Sequence, residues 1–296
     1  MSNLSSSMKL KSAIKKIPGA HACFRLISPM LGRKSLNTIL DSYSSSPPTD
    51  QNILDIFNGE WASQLPSSLG LKTSPGFAGL FEDGRMDWAE KSFGGFQSKS
   101  CLELGPLEAG HSYMLQKKGA SKVLAIEANS RAFLKCLCVK EILSLDKVAF
   151  KFGDFRKFFE ESDEQFDVLI ASGVLYHMLD PLKLIEQMTK ATDKIFIWTH
   201  YYDAKIINAN PVLKPRFKNL ENIERDGKTY QWTEQFYGGA LAFKGFCGGS
   251  APSSRWLTRD SILGYLKAQG FSRIDISFET PEHQNGPCFA LCAQRK

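Results

Sequence analysis

Three carboxylates and two histidines are placed where they can do chemistry. Glu103 lies in the run Cys101-Leu-Glu-Leu-Gly105, near the end of a short apolar stretch that turns into Gly105-Pro-Leu-Glu-Ala-Gly110. Glu127 closes a second apolar run, Val123-Leu-Ala-Ile126, and stands 24 residues after Glu103. Asp154 follows a third run, Val148 to Phe152, after Gly153. A carboxylate at the second strand end can accept both hydroxyls of a ribose, because it offers two lone-pair-rich oxygens. One at the third can accept from an exocyclic adenine amine, and Leu124, Ile126 and Phe155 can wall the ring. His177 and His200 follow later apolar runs, where a neutral imidazole can take a proton from an attacking oxygen or nitrogen. Each has a plainer reading. Asp154 can simply cap a helix, and His177 can lock the loop after its strand.

The elements that position these groups are legible in the same stretch. Strands are expected at Cys101–Leu104, Val123–Ile126, Val148–Phe152, Phe166–Ala171 and Ile195–Thr199. Helices are expected at His111–Lys118, Ala132–Leu143 and Pro181–Thr189. Strands alternating with helices imply a parallel sheet covered on both faces. Thr258 reads as the N-cap of a helix that stops at Gly270. Phe271–Phe278 and Cys288–Ala293 follow as an antiparallel pair. The expected fold is therefore α/β.

Composition narrows the class. Hydrophobic residues make up 43% and charged residues 23% of the 296 residues, which suits a soluble domain rather than a membrane span. No secretory apolar core is seen at the N-terminus, and the seven cysteines lack a metal-ligand rhythm. A cytoplasmic protein with reduced thiols is expected, with no metal. The net charge of +6 is uneven. Residues 1–40 hold seven basic side chains and no acid, whereas the remainder has 30 basic and 31 acidic ones. That arm can touch phosphate or anionic lipid, or can be merely solvated. Ser44-Ser-Ser-Pro-Pro48 looks like a linker, and Asp87–Phe93 like a short helix. Residues 1–97 thus read as a basic arm and helical extension, and 98–296 as the main domain. Residues 201–257 hold ten aromatics with interleaved glycines, an aromatic-rich insert. It is either an extra packed layer or a lid over an acceptor.

With these residues in place, the sequence resembles the class I S-adenosylmethionine-dependent methyltransferases. Glu103, Gly105 and Gly110 match that family's first motif, Glu127 its second-strand acid and Gly153-Asp154 its third-strand adenine contact. Phe166 to His177 looks like its fourth-strand motif. The resemblance implies a Rossmann-like seven-stranded methyltransferase sheet with an antiparallel last strand, and S-adenosyl-L-methionine as cofactor. It points to Glu103, Leu104, Gly105, Gly110, Glu127, Ala128, Asn129, Gly153, Asp154, Phe155, Ser172, Gly173 and Tyr176 as the cofactor side. Leu107 and Ala109 occupy the usual second and third glycine places, so the loop is expected to be shaped differently there. His111 reads as a residue that orders this loop. An NAD dehydrogenase fits less well, because the Gly-x-Gly-x-x-Gly order is absent.

A narrower resemblance joins Gly173-Val-Leu-Tyr-His177, Asp180-Pro-Leu182, Pro252-Ser253 and Leu257–Phe271 to the bacterial tRNA wobble-uridine carboxymethyltransferases. That family implies carboxy-S-adenosyl-L-methionine and tRNA. The main expectation is methylation of an oxygen or nitrogen on a small-molecule acceptor. His177 and His200 are the catalytic candidates, and Tyr201, Tyr202, Arg255 and Trp256 the substrate-side ones. A tRNA-modifying enzyme and a catalytically silent cofactor-binding module are the alternatives. Oligomeric state is not set by the sequence.

Overall fold

Before the alternating region the chain builds a short brace. Helix α1 (Asp50–Asp55) starts where the Thr49 side chain accepts from Asn52 N–H. Strands β1 (Trp61–Ser63) and β2 (Pro75–Ala78) pair in parallel. Helix α2 (Gly84–Phe93) is capped by Asp83 and stops at Gly94, whose φ of 75° suits a left-handed C-cap. The computed structural model describes residues 43–242 and 245–295. The basic arm of residues 1–40, and Phe243 of the insert, lie outside the described residues. Residues 49–296 make one compact unit, so the brace is part of the same body as the main domain.

The alternation then runs as the apolar runs require. In chain order come β3 (Ser100–Leu104), α3 (Gly110–Lys117), β4 (Lys122–Glu127), α4 (Ser130–Ile142), β5 (Val148–Phe152), α5 (Phe155–Glu161), β6 (Val168–Ser172), α6 (Pro181–Ala191) and β7 (Lys194–His200). After the insert, α8 (Arg259–Ala268) precedes β11 (Arg273–Thr280) and β12 (Cys288–Gln294), α7 and β8 to β10 belonging to the insert. The seven strands form one sheet in the order β11-β12-β7-β6-β3-β4-β5. Strand β12 runs antiparallel to both neighbours, and the other described pairings in the sheet are parallel. The Rossmann-like sheet with an antiparallel last strand is thus present.

Its centre is buried on both faces. Leu102, Leu104, Leu169, Ala171, Ile195 and Ile197 lie in one apolar cluster with Leu182, Ile185 and Met188 of α6. Complete burial of each larger aliphatic chain contributes roughly 1.5–3 kcal/mol. Helix α6 starts cleanly because Asp180 accepts from Lys183 N–H and Pro181 opens the first turn. No helix among the described residues is long and apolar enough to cross a membrane.

The insert contains α7 (Ala204–Ala209) and an antiparallel sheet of β8 (Glu221–Arg225), β9 (Lys228–Phe236) and β10 (Ser253–Leu257), in the order β10-β9-β8. Sequence patterning did not show this sheet. Its rings divide between two tasks. Tyr230 and Trp232 join the main core, whereas Tyr202 and Trp256 form a second cluster against Tyr176 and Phe217.

Candidate active site

The turn after β3 carries the first part of the site. Gly105, Leu107 and Ala109 have φ of 62°, 55° and 66°. All three glycine places of the motif therefore take left-handed backbone, two of them with side chains. The sequence suggested a loop shaped differently from the family's, and here two of its left-handed positions carry side chains. Each such L-residue costs roughly 1–2 kcal/mol in that region. A side chain at Gly105 would approach Val174 Cγ2 to 3.2 Å, which keeps this first position small.

The loop is held by charges placed on either side of it. Glu127, at the end of β4, accepts from Leu107 N–H at 3.1 Å and Asn129 N–H at 2.8 Å. Burial raises its carboxyl above the usual range, against the pull of backbone N–H groups of Asn129, Leu107 and Ala128. Glu108 is almost fully buried and accepts from Ala62 and Ser63 N–H of β1 at 3.0 and 2.6 Å. Lys135 of α4 reaches the same carboxylate at 2.7 Å, bonds the Glu60 carbonyl, and lies 5.3 Å over the Trp61 ring. The brace and the loop are thus one construction. Gly110 shows the same closeness, since a Cβ there would meet Leu80 backbone at 2.7 Å.

Glu103 points into a second buried network. Ser112 donates to it, and His111 Nδ1 stands 3.9 Å away. His111 Nε2 lies 2.8 Å from Asp83, which Arg85 also holds through its guanidinium at 2.6 Å. Burial alone would raise Asp83, but the hydrogen bonds from His111 and Arg85 outweigh it and hold the carboxyl well below its usual range. Burial raises Glu103. His111, read from sequence as a loop-ordering residue, links the loop to α2.

The other residues that the resemblance assigned to the cofactor are placed as follows. Asn129 caps α4 by accepting from Arg131 and Ala132 N–H. Gly153 N–H bonds the Glu127 carbonyl at 2.9 Å. Asp154 caps α5 through Arg156 N–H and pairs with the Arg156 guanidinium at 2.6 Å. That ion pair holds Asp154 below the ordinary carboxylate range. Leu104 and Phe155 are core residues, while Ser172 and Gly173 are half-buried at the end of β6. Gly173 N–H bonds the Trp198 carbonyl at 2.9 Å and takes φ of 80°.

The ends of β6 and β7 carry a box of rings. Tyr176 stands 4.1 Å from His177, 4.7 Å edge-on to His200 and 5.9 Å from Trp256, by ring centroids. Trp256 stacks on His200 at 5.0 Å and 15°. Trp198 closes one side, with the Arg85 guanidinium 4.9 Å over it. His177 Nδ1 meets Tyr237 Oη at 2.8 Å, and Tyr237 donates to the Gly248 carbonyl at 3.3 Å. One hydroxyl has one proton, so both bonds are satisfied only if His177 Nδ1–H donates to Tyr237. The Nε2 lone pair of His177 is then free. His200 Nδ1 likewise donates to the Gly286 carbonyl at 2.8 Å and leaves Nε2 unprotonated. Burial pulls His177 down to about 3 and His200 down to about 4, so both rings are neutral near pH 7.

The box takes in His177, His200, Tyr176 and Trp256, with Tyr202 reaching it through Phe217. Tyr201 and Arg255 turn elsewhere. Tyr201 packs on Phe289 and donates to Glu279, while Arg255 lies over Trp232 and donates to the Leu179 carbonyl. Neighbours along a strand face opposite sides, so 200 and 202 share a direction that 201 does not. Sequence reasoning missed Asp83, Arg85, Glu108, Lys135 and Tyr237 as site residues. A usable signal was Lys135 among the apolar positions of its helix; the others depend on long-range contacts.

The segment after residue 244 packs against the ring box. Phe246 packs edge-on against Tyr237 at 4.8 Å. A Cβ on Gly248 would stand 2.7 Å from His177 Nδ1, so this glycine permits the close approach. Burial raises the Cys247 thiol to about 11, and the Glu127 and Glu108 charges add to it.

The seven-stranded sheet with this strand order is the Rossmann-like methyltransferase fold that the resemblance implied. A family model described as a methyltransferase domain matches residues 97–239. The chain is similar in fold to the N-terminal domain of EvdMO1 crystallised in the presence of S-adenosylhomocysteine and D-fucose. Identity is 20% over 83% of this chain and 95% of that one, with a TM-score of 0.62. The same domain with S-adenosylhomocysteine bound gives 20% identity, the same 83% and 95% coverage, and a TM-score of 0.61. An S-adenosylmethionine-dependent methyltransferase from Mesorhizobium loti gives 15% identity over 73% of this chain and 100% of that one, at a TM-score of 0.49. No curated protein matches the chain.

Proposed function

We propose that this enzyme transfers a methyl group from S-adenosylmethionine to an oxygen or nitrogen of a small, uncharged polar metabolite, with a hydroxyl of a sugar-like molecule favoured. The observation that carries the reading is the ring box with two neutral histidines. Among the described residues, the guanidinium over it is Arg85, and Asp83 already pairs with that charge. Aromatic faces offer apolar contact to a polyol's C–H surface while its hydroxyls meet ring nitrogens. The fold neighbour crystallised in the presence of D-fucose supports a sugar-like acceptor.

The residues present suit the cofactor. Glu127 is assigned to the ribose hydroxyls and the 105–109 turn to the methionine portion. The half-buried Ser172, Gly173 and Tyr176 border the reacting end. Asp154 is the adenine candidate, on the condition that it shares its carboxylate with Arg156. When bound, the cofactor supplies a methyl group already activated by its sulfonium. The chain then has to hold, orient and dehydrate the acceptor. His177 Nε2 takes the acceptor's proton. Its low basicity suffices, because an alcohol oxygen that gains a methyl group becomes a strong acid. Tyr237 keeps the ring in the required tautomer.

Thermal melting with S-adenosylhomocysteine, followed by transfer assays on a panel of free sugars, tests this reading. The product is expected to raise the melting temperature in the wild type and not in Glu127→Ala, and a neutral sugar is expected to be methylated. Absence of any shift would remove the cofactor assignment. Salt-sensitive retention of tRNA that is lost with residues 1–40 would replace the small-molecule acceptor by RNA.

A further inference from the structure

We propose that His200, His283 and Cys288 form a site for a soft divalent cation of the zinc type. His200 and Cys288 are direct partners across the antiparallel β7–β12 pair, so their side chains leave the same face. His283 lies in the turn between β11 and β12 and brings its ring to 5.2 Å from that of His200. One ligand atom from each residue lies within 4.8 Å of the other two. In a tetrahedral zinc site with bonds of about 2.0–2.3 Å, ligand atoms are roughly 3.3–3.8 Å apart. The set has to close by about 1 Å, and His283, half-buried, is the least enclosed of the three. Imidazole and thiolate are the ligands that select zinc over calcium or magnesium.

The surroundings suit ligation. His200 Nδ1 is fixed to the Gly286 carbonyl at 2.8 Å, which leaves Nε2 as the lone-pair nitrogen. Backbone carbonyls serve this purpose beside metal-binding histidines. Cys288 Sγ faces the Thr280 carbonyl at 4.0 Å, a weak bond that ligation gives up. His283 Nδ1 accepts from Asn285 N–H at 3.2 Å, a bond that ligation exchanges for the metal. A donor beside His200 is also unpaired. Trp256 stacks on His200, and its buried indole Nε1 has no hydrogen-bond partner. An indole N–H is a donor only, so it wants an oxygen or other acceptor beside it.

Three protein ligands leave one tetrahedral position open, the pattern of catalytic rather than structural zinc. Water can occupy it, or a hydroxyl oxygen of the acceptor, whose proton a bound cation makes easier to remove. That use of the open position rests on the small-molecule reading above; cation binding itself does not.

The test uses full-length protein stripped with a chelator and dialysed against Zn²⁺ or Co²⁺. Elemental analysis is expected to find about one Zn²⁺ per chain. The Co²⁺ form is expected to show a near-ultraviolet thiolate-to-metal band. Cys288→Ser should abolish that band. His283→Ala, in a half-buried turn, should reduce metal affinity by about 100-fold or more, with the S-adenosylhomocysteine thermal shift kept at wild-type size. Cys247→Ser, a thiol outside the His200, His283 and Cys288 group, should leave metal uptake unchanged. Wild-type protein without stoichiometric metal, or equal uptake by Cys288→Ser and His283→Ala, would overturn the site. Full zinc uptake with no response to S-adenosylhomocysteine would uphold the site and count against the cofactor assignment alone.

Discussion

The turn after β3, proposed as the donor side, and the ring box, proposed as the acceptor side, are stabilised in opposite ways. On the donor side, backbone groups and paired charges fix the geometry: Glu127 holds the turn, and Glu108 joins it to Lys135 and to β1. On the acceptor side, rings pack against rings, and the titratable groups are kept neutral. The contrast follows from what each side must do. A turn that approaches a cofactor's backbone-recognised portion has to be rigid, and buried ion pairs with full hydrogen bonding provide that. A proton acceptor has to start neutral, and burial without a counter-charge provides that.

Removing a charge on the donor side should have the largest effect. Glu108→Ala leaves Lys135 buried without its partner and should destabilise the protein by about 3–5 kcal/mol. Chemical denaturation would show it as a lower midpoint at an unchanged slope. A loss under 1 kcal/mol would mean that the brace and loop are held by packing alone. The corresponding acceptor-side change is His177→Asn. It should lower kcat by about 100-fold or more with little change in fold, measured as methyl transfer at saturating donor. Equal activity would reassign His177 to locking its loop.

The neutral state of His177 has a pH signature. Its folded value is about 3 against an ordinary value of 6.5. The unfolded chain therefore binds the proton more readily between those two values. The contribution is present in full above 6.5 and is lost as pH falls toward 3. His177→Asn should flatten the melting-temperature slope in that window relative to wild type. An unchanged slope would show that the ring is not buried neutral.

The smallest effect is expected at the left-handed turn. Ala109→Gly loses one buried methyl and gains unfolded-state entropy, but relieves an unfavourable φ. These terms nearly cancel, so stability should stay within about 0.5 kcal/mol of wild type, whereas Ala→Gly in a helix costs about 1 kcal/mol. A larger loss would place the weight on the side chain rather than the backbone.

The seven strands of the main sheet, the helix that Thr258 caps and the acids at the ends of β3 and β4 were readable from the sequence. Buried strands need unbroken apolar runs, and strand ends need polar or glycine-bearing turns; both are local signals. The α/β class followed from their order, and the methyltransferase resemblance from the motif residues at their ends. The insert's antiparallel sheet was not readable, because β8 and β9 are half-exposed strands whose apolar residues are interleaved with charged and polar ones.

What the tertiary structure alone decided lies between elements distant in sequence. It placed Glu108 against β1, 45 residues before it, and His177 against Tyr237, 60 residues after it. It turned Tyr201 and Arg255 away from the box that His200 and Trp256 enter. It also gave Leu107 and Ala109 the backbone that their side chains disfavour. Local propensity predicts none of these. Each is imposed by contacts whose combined free energy exceeds a local preference of about 1–2 kcal/mol per residue.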